Sequence, residues 1–166
     1  MRYHKGIRKM GRVGVFLASV SSILVLAGPA SAAEASPGHR PGYAQFFVYL
    51  TGDELRDGGD RDGRGIAQLQ FDPVEETVCY VTTWRRLDGA VTDFQLRAAP
   101  RRNDGPRWID LFSDRYFDGE RDTVSGCVYS PRGKILDVIE NPSDFYLKIN
   151  TTVREREEGA IRGQLG

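Results

Sequence analysis

Histidine is nearly absent from this sequence, with two residues in 166. His4 and His39 both lie in the N-terminal part, ahead of the first pattern that predicts a strand. Zinc and copper sites are usually built from histidine and cysteine, and serine–histidine–aspartate or cysteine–histidine catalysis needs a histidine base. The sequence therefore predicts no cofactor, and it does not predict an enzyme of these classes.

Long hydrophobic runs are also missing. The longest apolar stretch, residues 13–27, is about fifteen residues long, and a membrane-spanning helix needs about 20. Five basic residues precede it, and Gly28-Pro29-Ala30-Ser31-Ala32 follows it. This order is typical of a secretory signal peptide. We predict a signal peptide over residues 1–32 cut after Ala32 or Ala33, a flexible lead-in over residues 33–42, and a secreted protein that does not insert into a membrane after cleavage.

The N-terminal 32 residues contain no acidic residue but hold five of the 23 lysines and arginines. The rest of the chain therefore has 18 basic residues against 23 acidic ones, a net charge of about −5. A surface of that sign does not attract nucleic acid or anionic lipid. We expect neither as a partner.

Cysteine is as scarce as histidine, since Cys79 and Cys127 are the two present. They lie 48 residues apart and form no Cys-x-x-Cys pair of the redox-active kind. In an exported protein, two such cysteines form one structural disulfide by default. We predict a Cys79–Cys127 disulfide, which the chain-entropy model values at about 4 kcal/mol.

What the sequence has in abundance is alternation of apolar and polar residues with a period of two, which indicates β-strands. Strands are predicted over residues 43–50, 66–71, 77–84, 91–97, 107–112, 145–151 and 160–165. One short helix is predicted, with Ser130 as N-cap and Pro131 at the first position, ending at Asn141-Pro142. Many short strands without a long amphipathic helix predict an all-β antiparallel sandwich or barrel.

Several motifs, taken in order, resemble a known family over residues 43–166. They are Leu50-Thr51-Gly52-Asp53-Glu54, Val78-Cys79-Tyr80, Leu87-Asp88-Gly89-Ala90-Val91-Thr92, Gly126-Cys127-Val128, Asn141-Pro142 and, most specific, Gly159-Ala160-Ile161-Arg162-Gly163-Gln164-Leu165. This series resembles the CHRD domain, a module first described in chordin and found in secreted bacterial proteins. The resemblance implies an immunoglobulin-like or copper/zinc-dismutase-like sandwich in an extracellular setting. It implies no shared reaction.

The chain departs from the family pattern at three positions. Family members commonly carry His-x-His after a valine-threonine step, and another histidine in the strand after the Asn-Pro. The matching positions here are Gln95, Arg97 and Asn150. Any metal or catalytic role of those histidines would therefore be lost in this protein.

An acidic loop is the weak candidate for a calcium site. Asp57, Asp60 and Asp62 lie among glycines, and oxygen-rich flexible loops suit a hard cation. Aligned as an EF-hand loop, however, the twelfth position falls on Leu69 instead of glutamate, and neighbouring arginines neutralise the charge. A solvated connection between two strands explains the same residues.

Aromatic residues give a possible binding face. Tyr43, Phe47 and Tyr49 share one side of the first predicted strand, and Trp84 and Trp108 lie in or at the ends of others. Exposed aromatic side chains stack on sugars or anchor a protein partner. Burial in the sandwich is the alternative, because aromatic residues favour strands in any case.

These observations predict a secreted, non-enzymatic extracellular module that binds a protein or an envelope polysaccharide. One alternative is a metal-dependent or hydrolytic extracellular enzyme that uses carboxylates. A further alternative is a structural envelope protein without a discrete site.

Overall fold

A computed structural model describes residues 42–154 and 158–166. The predicted signal peptide and residues 33–41 of the predicted lead-in lie outside the described residues. Among the described residues, no helix is both long enough and apolar enough to cross a membrane.

The described chain is built of antiparallel strands with one α-helix. The strands are β1 Ala44–Thr51, β2 Arg64–Asp72, β3 Thr77–Arg85, β4 Val91–Ala98, β5 Arg107–Phe112, β6 Arg121–Tyr129, β7 Phe145–Thr151 and β8 Ile161–Gln164. The helix α1 spans Arg132–Glu140, and short 3-10 turns span Gly52–Glu54 and Pro142–Asp144. The predicted all-β class with one short helix is confirmed.

The strands follow the order β5-β4-β7-β8-β1-β2-β3-β6. A single residue pair, Thr51 with Arg162, joins β1 to β8, whereas every other neighbouring pair shares at least four. The sheet therefore folds into two halves. We call β1, β2, β3 and β6 the first sheet, and β4, β5, β7 and β8 the second sheet. Together they form a nearly closed antiparallel sandwich.

Aromatic side chains fill the space between the two sheets. Tyr80 of the first sheet meets Phe94 of the second edge to face, with 5.6 Å between ring centroids, and lies 6.2 Å from Phe112. Gly126 on β6 leaves room for Tyr80, because a β-carbon there would lie 2.8 Å from the phenolic oxygen. These contacts hold the inner faces together and leave each sheet with an outer face.

Two local features differ from the sequence prediction. Strand β6 is not predicted, because its inward positions are only partly apolar and its outward ones are mostly polar. Helix α1 begins one residue later than predicted. Its first residue is Arg132 and its N-cap is Pro131, whereas the sequence predicts Ser130 as the N-cap and Pro131 as the first residue. The Ser130 hydroxyl is buried without a hydrogen bond to any described residue, and the Glu76 carboxylate accepts from the Arg132 N–H at 2.9 Å. A residue distant in sequence therefore caps this helix.

Candidate functional site

The outer face of the first sheet consists of rows of side chains that cross its four strands. Strand register places every second residue of one strand opposite an outward residue of the next. Two adjacent rows are Phe47, Gln68, Val81, Ser125 and Tyr49, Ile66, Thr83, Thr123. Apolar, amide and hydroxyl groups are therefore mixed across this surface.

The aromatic residues of β1 project from this face into solvent. Phe47 is 66% exposed and Tyr49 is 74% exposed, and Tyr43 is partly exposed at the start of the strand. Ile66 and Val81 on the neighbouring strands are also exposed. Large contiguous patches of exposed apolar side chains often mark interaction sites. Tyr43, Phe47 and Tyr49 therefore share one exposed side of the chain at and just before β1.

Two tryptophans suggested for the same face are not part of it. Trp84 is 1% exposed and points into the core, where its indole N–H donates to the Asp118 carbonyl at 2.7 Å. Trp108 lies under helix α1, and its indole N–H donates to the Lys134 carbonyl at 3.2 Å. Both placements correct the sequence prediction, because apolar residues occur on both sides of these strands and alternation alone does not show which side is buried.

A groove of about 640 Å³ runs along one end of the face. Tyr49 and Ile66 line one side of it, and Arg64, Arg85 and Arg121 line the other. The three arginines come from β2, β3 and β6, at or next to the strand ends. Apolar contact and positive charge are therefore available side by side.

The predicted disulfide between Cys79 and Cys127 is confirmed and lies on this outer face. The two cysteines are directly opposite each other on β3 and β6, with their α-carbons 4.0 Å apart. Strand β6 is an end strand of the sheet order and pairs with β3, so the bond reinforces the strand pairing that holds this edge. A rigid edge keeps the rows of the face in register.

The structure does not bring Asp57, Asp60 and Asp62 of the acidic loop together as one cluster of carboxylates. Asp60 is buried, and its carboxylate accepts a hydrogen bond of 2.6 Å from the Asp88 backbone N–H. Asp57 and Asp62 are exposed. Within residues 42–154 and 158–166, no group of three or more histidine, cysteine, aspartate or glutamate side chains is arranged to hold a metal ion. Asp60 instead joins the loop to the turn that precedes β4.

The three positions where the family carries histidine come together on the outer face of the second sheet. Gln95 on β4 lies opposite Lys148 on β7, two residues from Asn150, and the Arg97 guanidinium donates to the Gln95 carbonyl oxygen at 2.9 Å. Gln95 and Asn150 are fully buried. The amide nitrogen of Gln95 and both polar atoms of the Asn150 side chain make no hydrogen bond to a described residue.

Arg97 and Arg162 fasten the loop of residues 99–106 over this second face. Arg97 donates to the Gly105 carbonyl at 2.9 Å and to the Tyr146 hydroxyl at 3.2 Å. Arg162 donates to the carbonyls of Asn103 and Pro100 at 2.8 and 3.1 Å. Burial lowers the pKa of the Arg162 guanidinium, which is fully inaccessible to solvent. The sequence does not predict this role for Arg162, although it lies in the predicted strand over residues 160–165 and in the most specific motif of the family resemblance.

A second cleft, of about 610 Å³, opens beside that loop. The charged side chains along it are Asp57, Arg97, Asp104, Lys148 and Glu158. Arg97 is already held by the hydrogen bonds to Gly105, Tyr146 and Gln95. Acidic and basic side chains are mixed along this cleft, so its electrostatic potential is neither uniformly positive nor uniformly negative.

Comparison with known proteins identifies a family and nothing finer. The family model for the CHRD domain matches residues 46–165. Neither the curated proteins nor the solved structures include a significant match to the chain. Because the matched segment takes in nearly all the described residues, from β1 to β8, the chain belongs to the CHRD domain family.

Proposed function

We propose that this chain is a secreted, non-enzymatic CHRD module that binds a polysaccharide on the outer face of its first sheet. The single observation that carries the proposal is the pair Phe47 and Tyr49, which project from one strand into solvent. The predicted signal peptide supports an extracellular site of action. An exported module with an open aromatic surface suits a ligand of the cell exterior.

The chemistry of the face favours sugar over protein. A pyranose ring has an apolar face, which packs on an aromatic ring, and hydroxyl groups at its edge, which need hydrogen-bond partners. The amide of Gln68 lies directly opposite Phe47. Thr83 and Thr123, whose hydroxyls bond to each other at 2.9 Å, lie farther along the row that begins with Tyr49 and Ile66. The fully buried core of a protein interface is more uniformly apolar than this.

Affinity electrophoresis of the purified protein through gels that contain soluble polysaccharides, neutral and acidic, tests the proposal. Wild type is expected to be retarded by at least one polysaccharide. Tyr49→Ala is expected to weaken that binding roughly tenfold, the equivalent of about 1.4 kcal/mol of lost stacking. Tyr116→Ala removes an equally exposed tyrosine outside the first sheet and is the matched control.

The proposal fails if no polysaccharide retards the wild-type protein, or if Tyr116→Ala weakens binding as much as Tyr49→Ala. Binding of a protein partner that is lost in Phe47→Ala and Tyr49→Ala would also contradict it. That result would show that the face docks protein instead of sugar.

A further inference from the structure

Three arginines lie side by side across the first sheet. Arg64 on β2 is directly opposite Arg85 on β3, and Arg85 is directly opposite Arg121 on β6. We call these three residues the arginine row. Side chains in such positions have β-carbons about 5 Å apart. Like charges that face each other across strands destabilise a sheet, so three in succession need a compensating interaction.

Among the described residues, the arginine row has no ion-pair partner. Within residues 42–154 and 158–166, none of the three guanidinium groups has a carboxylate oxygen within 4.0 Å. Arg64 donates to the backbone carbonyls of Arg61 and Gly63, which carry no net charge. Arg85 and Arg121 are exposed. The row therefore presents a local positive field on a chain whose charge beyond residue 32 is negative.

The row runs parallel to the row that contains Tyr49 and Ile66. Arg64 is two residues from Ile66 on the same face of β2, a distance of about 7 Å along the strand. Tyr49 lies opposite Ile66, which places it diagonally about 7 to 8 Å from Arg64. The groove lies between the two rows. A ligand seated there meets an apolar ring on one side and guanidinium groups on the other.

We propose that this groove binds an acidic polysaccharide, with the carboxylates of its uronic acid residues on the arginine row and its sugar rings against Tyr49 and Ile66. The inference rests on the proposed function and names the class of sugar. A uronic acid joins both features in one residue, because the ring that offers an apolar face also carries the carboxylate. The polymer lies across the strands, parallel to the two rows.

Arginine is suited to this task in a way that lysine is not. Its planar guanidinium donates two parallel hydrogen bonds to one carboxylate and stays charged at every physiological pH. Three guanidinium groups at strand spacing can bind successive carboxylates of one polymer chain. Once the first carboxylate is bound, the next ones are held close to their arginines, so a polymer binds more tightly than a single uronic acid. A polymer is therefore favoured over a single uronic acid.

The test compares two polymers that share a backbone. Purified protein is run through gels with polygalacturonate and with its fully methyl-esterified form, which has the same rings without the charge. We expect wild type to bind polygalacturonate and to bind the ester roughly tenfold more weakly or worse. The binding is expected to weaken as sodium chloride rises from about 0.05 to about 0.5 M.

Two double variants with the same change in charge complete the test. Arg85→Gln/Arg121→Gln removes the two exposed members of the row and is expected to reduce binding to polygalacturonate roughly tenfold or more. Arg56→Gln/Arg115→Gln removes two exposed arginines outside the first sheet and is expected to leave it unchanged. The melting temperature of each variant shows that it is folded.

Each other outcome overturns the inference in a recognisable way. Equal binding of both polymers, reduced by Tyr49→Ala and not by the arginine variant, contradicts the inference and leaves the proposed function standing. An equal loss of polygalacturonate binding in the two double variants would show general charge attraction. It would contradict the claim that the arginine row binds the carboxylates. Failure to bind any polysaccharide contradicts both proposals.

Discussion

The guanidinium of Arg162 lies over the ring of Tyr146, with 3.6 Å between the guanidinium carbon and the ring centroid. The two residues belong to the neighbouring strands β8 and β7 and share the outer face of the second sheet. Arg162 also donates to the carbonyls of Asn103 and Pro100. The buried guanidinium of Arg162 thus connects the second sheet to the loop formed by residues 99–106.

Replacement of Arg162 by lysine is expected to destabilise the protein by about 2 to 3 kcal/mol. A lysine keeps the positive charge but loses the planar fork that reaches two carbonyls and stacks on Tyr146. Urea unfolding measures the change in the free energy of unfolding. Arg115→Lys, at an exposed site, is the control and is expected to change it by less than about 0.5 kcal/mol. Equal stability of wild type and Arg162→Lys would show that the fork contributes nothing.

Aromatic residues on the two sides of the first sheet are expected to respond oppositely to truncation. Trp84→Ala empties a buried site and is expected to cost about 3 to 5 kcal/mol, whereas Tyr49→Ala is expected to stay within about 0.5 kcal/mol. Trp84→Phe keeps most of the packing and loses the hydrogen bond to the Asp118 carbonyl. It is expected to cost about 1 to 2 kcal/mol. Thermal and urea unfolding of the three variants check the expected order of stability loss, which is largest for Trp84→Ala and smallest for Tyr49→Ala. A clear loss of stability in Tyr49→Ala would contradict the prediction.

Removal of the disulfide is expected to lower the free energy of unfolding by about 4 kcal/mol, the chain-entropy value for its 48-residue separation. Cys79→Ser/Cys127→Ser is compared with wild type by urea unfolding. Reduced wild type serves as the control and is expected to match the double variant, which itself should not respond to the reductant. A loss below about 1 kcal/mol would mean that the unfolded chain retains structure around β3 and β6.

Acid is expected to remove a small contribution from the pair Glu54 and Arg101. Arg101 Nε donates to the Glu54 carboxylate at 2.9 Å, and this hydrogen bond lowers the pKa of Glu54 below its ordinary value of 4.5. A lowered folded-state pKa stabilises the protein above that ordinary value, and the contribution disappears as pH falls through the folded-state pKa. The Arg101 side chain is exposed, so solvent screens the pair and its contribution is expected to be small.

Urea unfolding of wild type and Glu54→Gln from about pH 3 to about pH 7 measures this effect. Wild type is expected to be the more stable of the two at neutral pH, and the difference is expected to vanish in acid. Glu75→Gln, at an exposed site, should follow the wild-type curve. A difference between wild type and Glu54→Gln that is constant across the range would rule out ionisation as its cause.

Alternation along β1 was enough to predict which of its residues share a face, because neighbouring side chains of a strand must point to opposite sides. Phe47 and Tyr49 follow that rule. The same rule could not place Trp84, since β3 has apolar residues on both sides and burial depends on which side meets the other sheet. Strand β6 escaped prediction for a related reason, because its residues are ordered by pairing with β3 and by the disulfide more than by an apolar pattern of their own.

The all-β class, the CHRD resemblance and the disulfide could be predicted from the sequence, because local periodicity, ordered motifs and a count of two cysteines need no knowledge of contacts. Which side chains become neighbours depends on how the strands pair. Arg64, Arg85 and Arg121 are far apart along the chain and become neighbours through strand register. Register also makes Gln95 and Asn150 diagonal neighbours across β4 and β7, where Gln95 pairs with Lys148 and Asp93 pairs with Asn150. Register depends on turns and long-range pairing, so a candidate site built across strands is visible only once the sheet is formed.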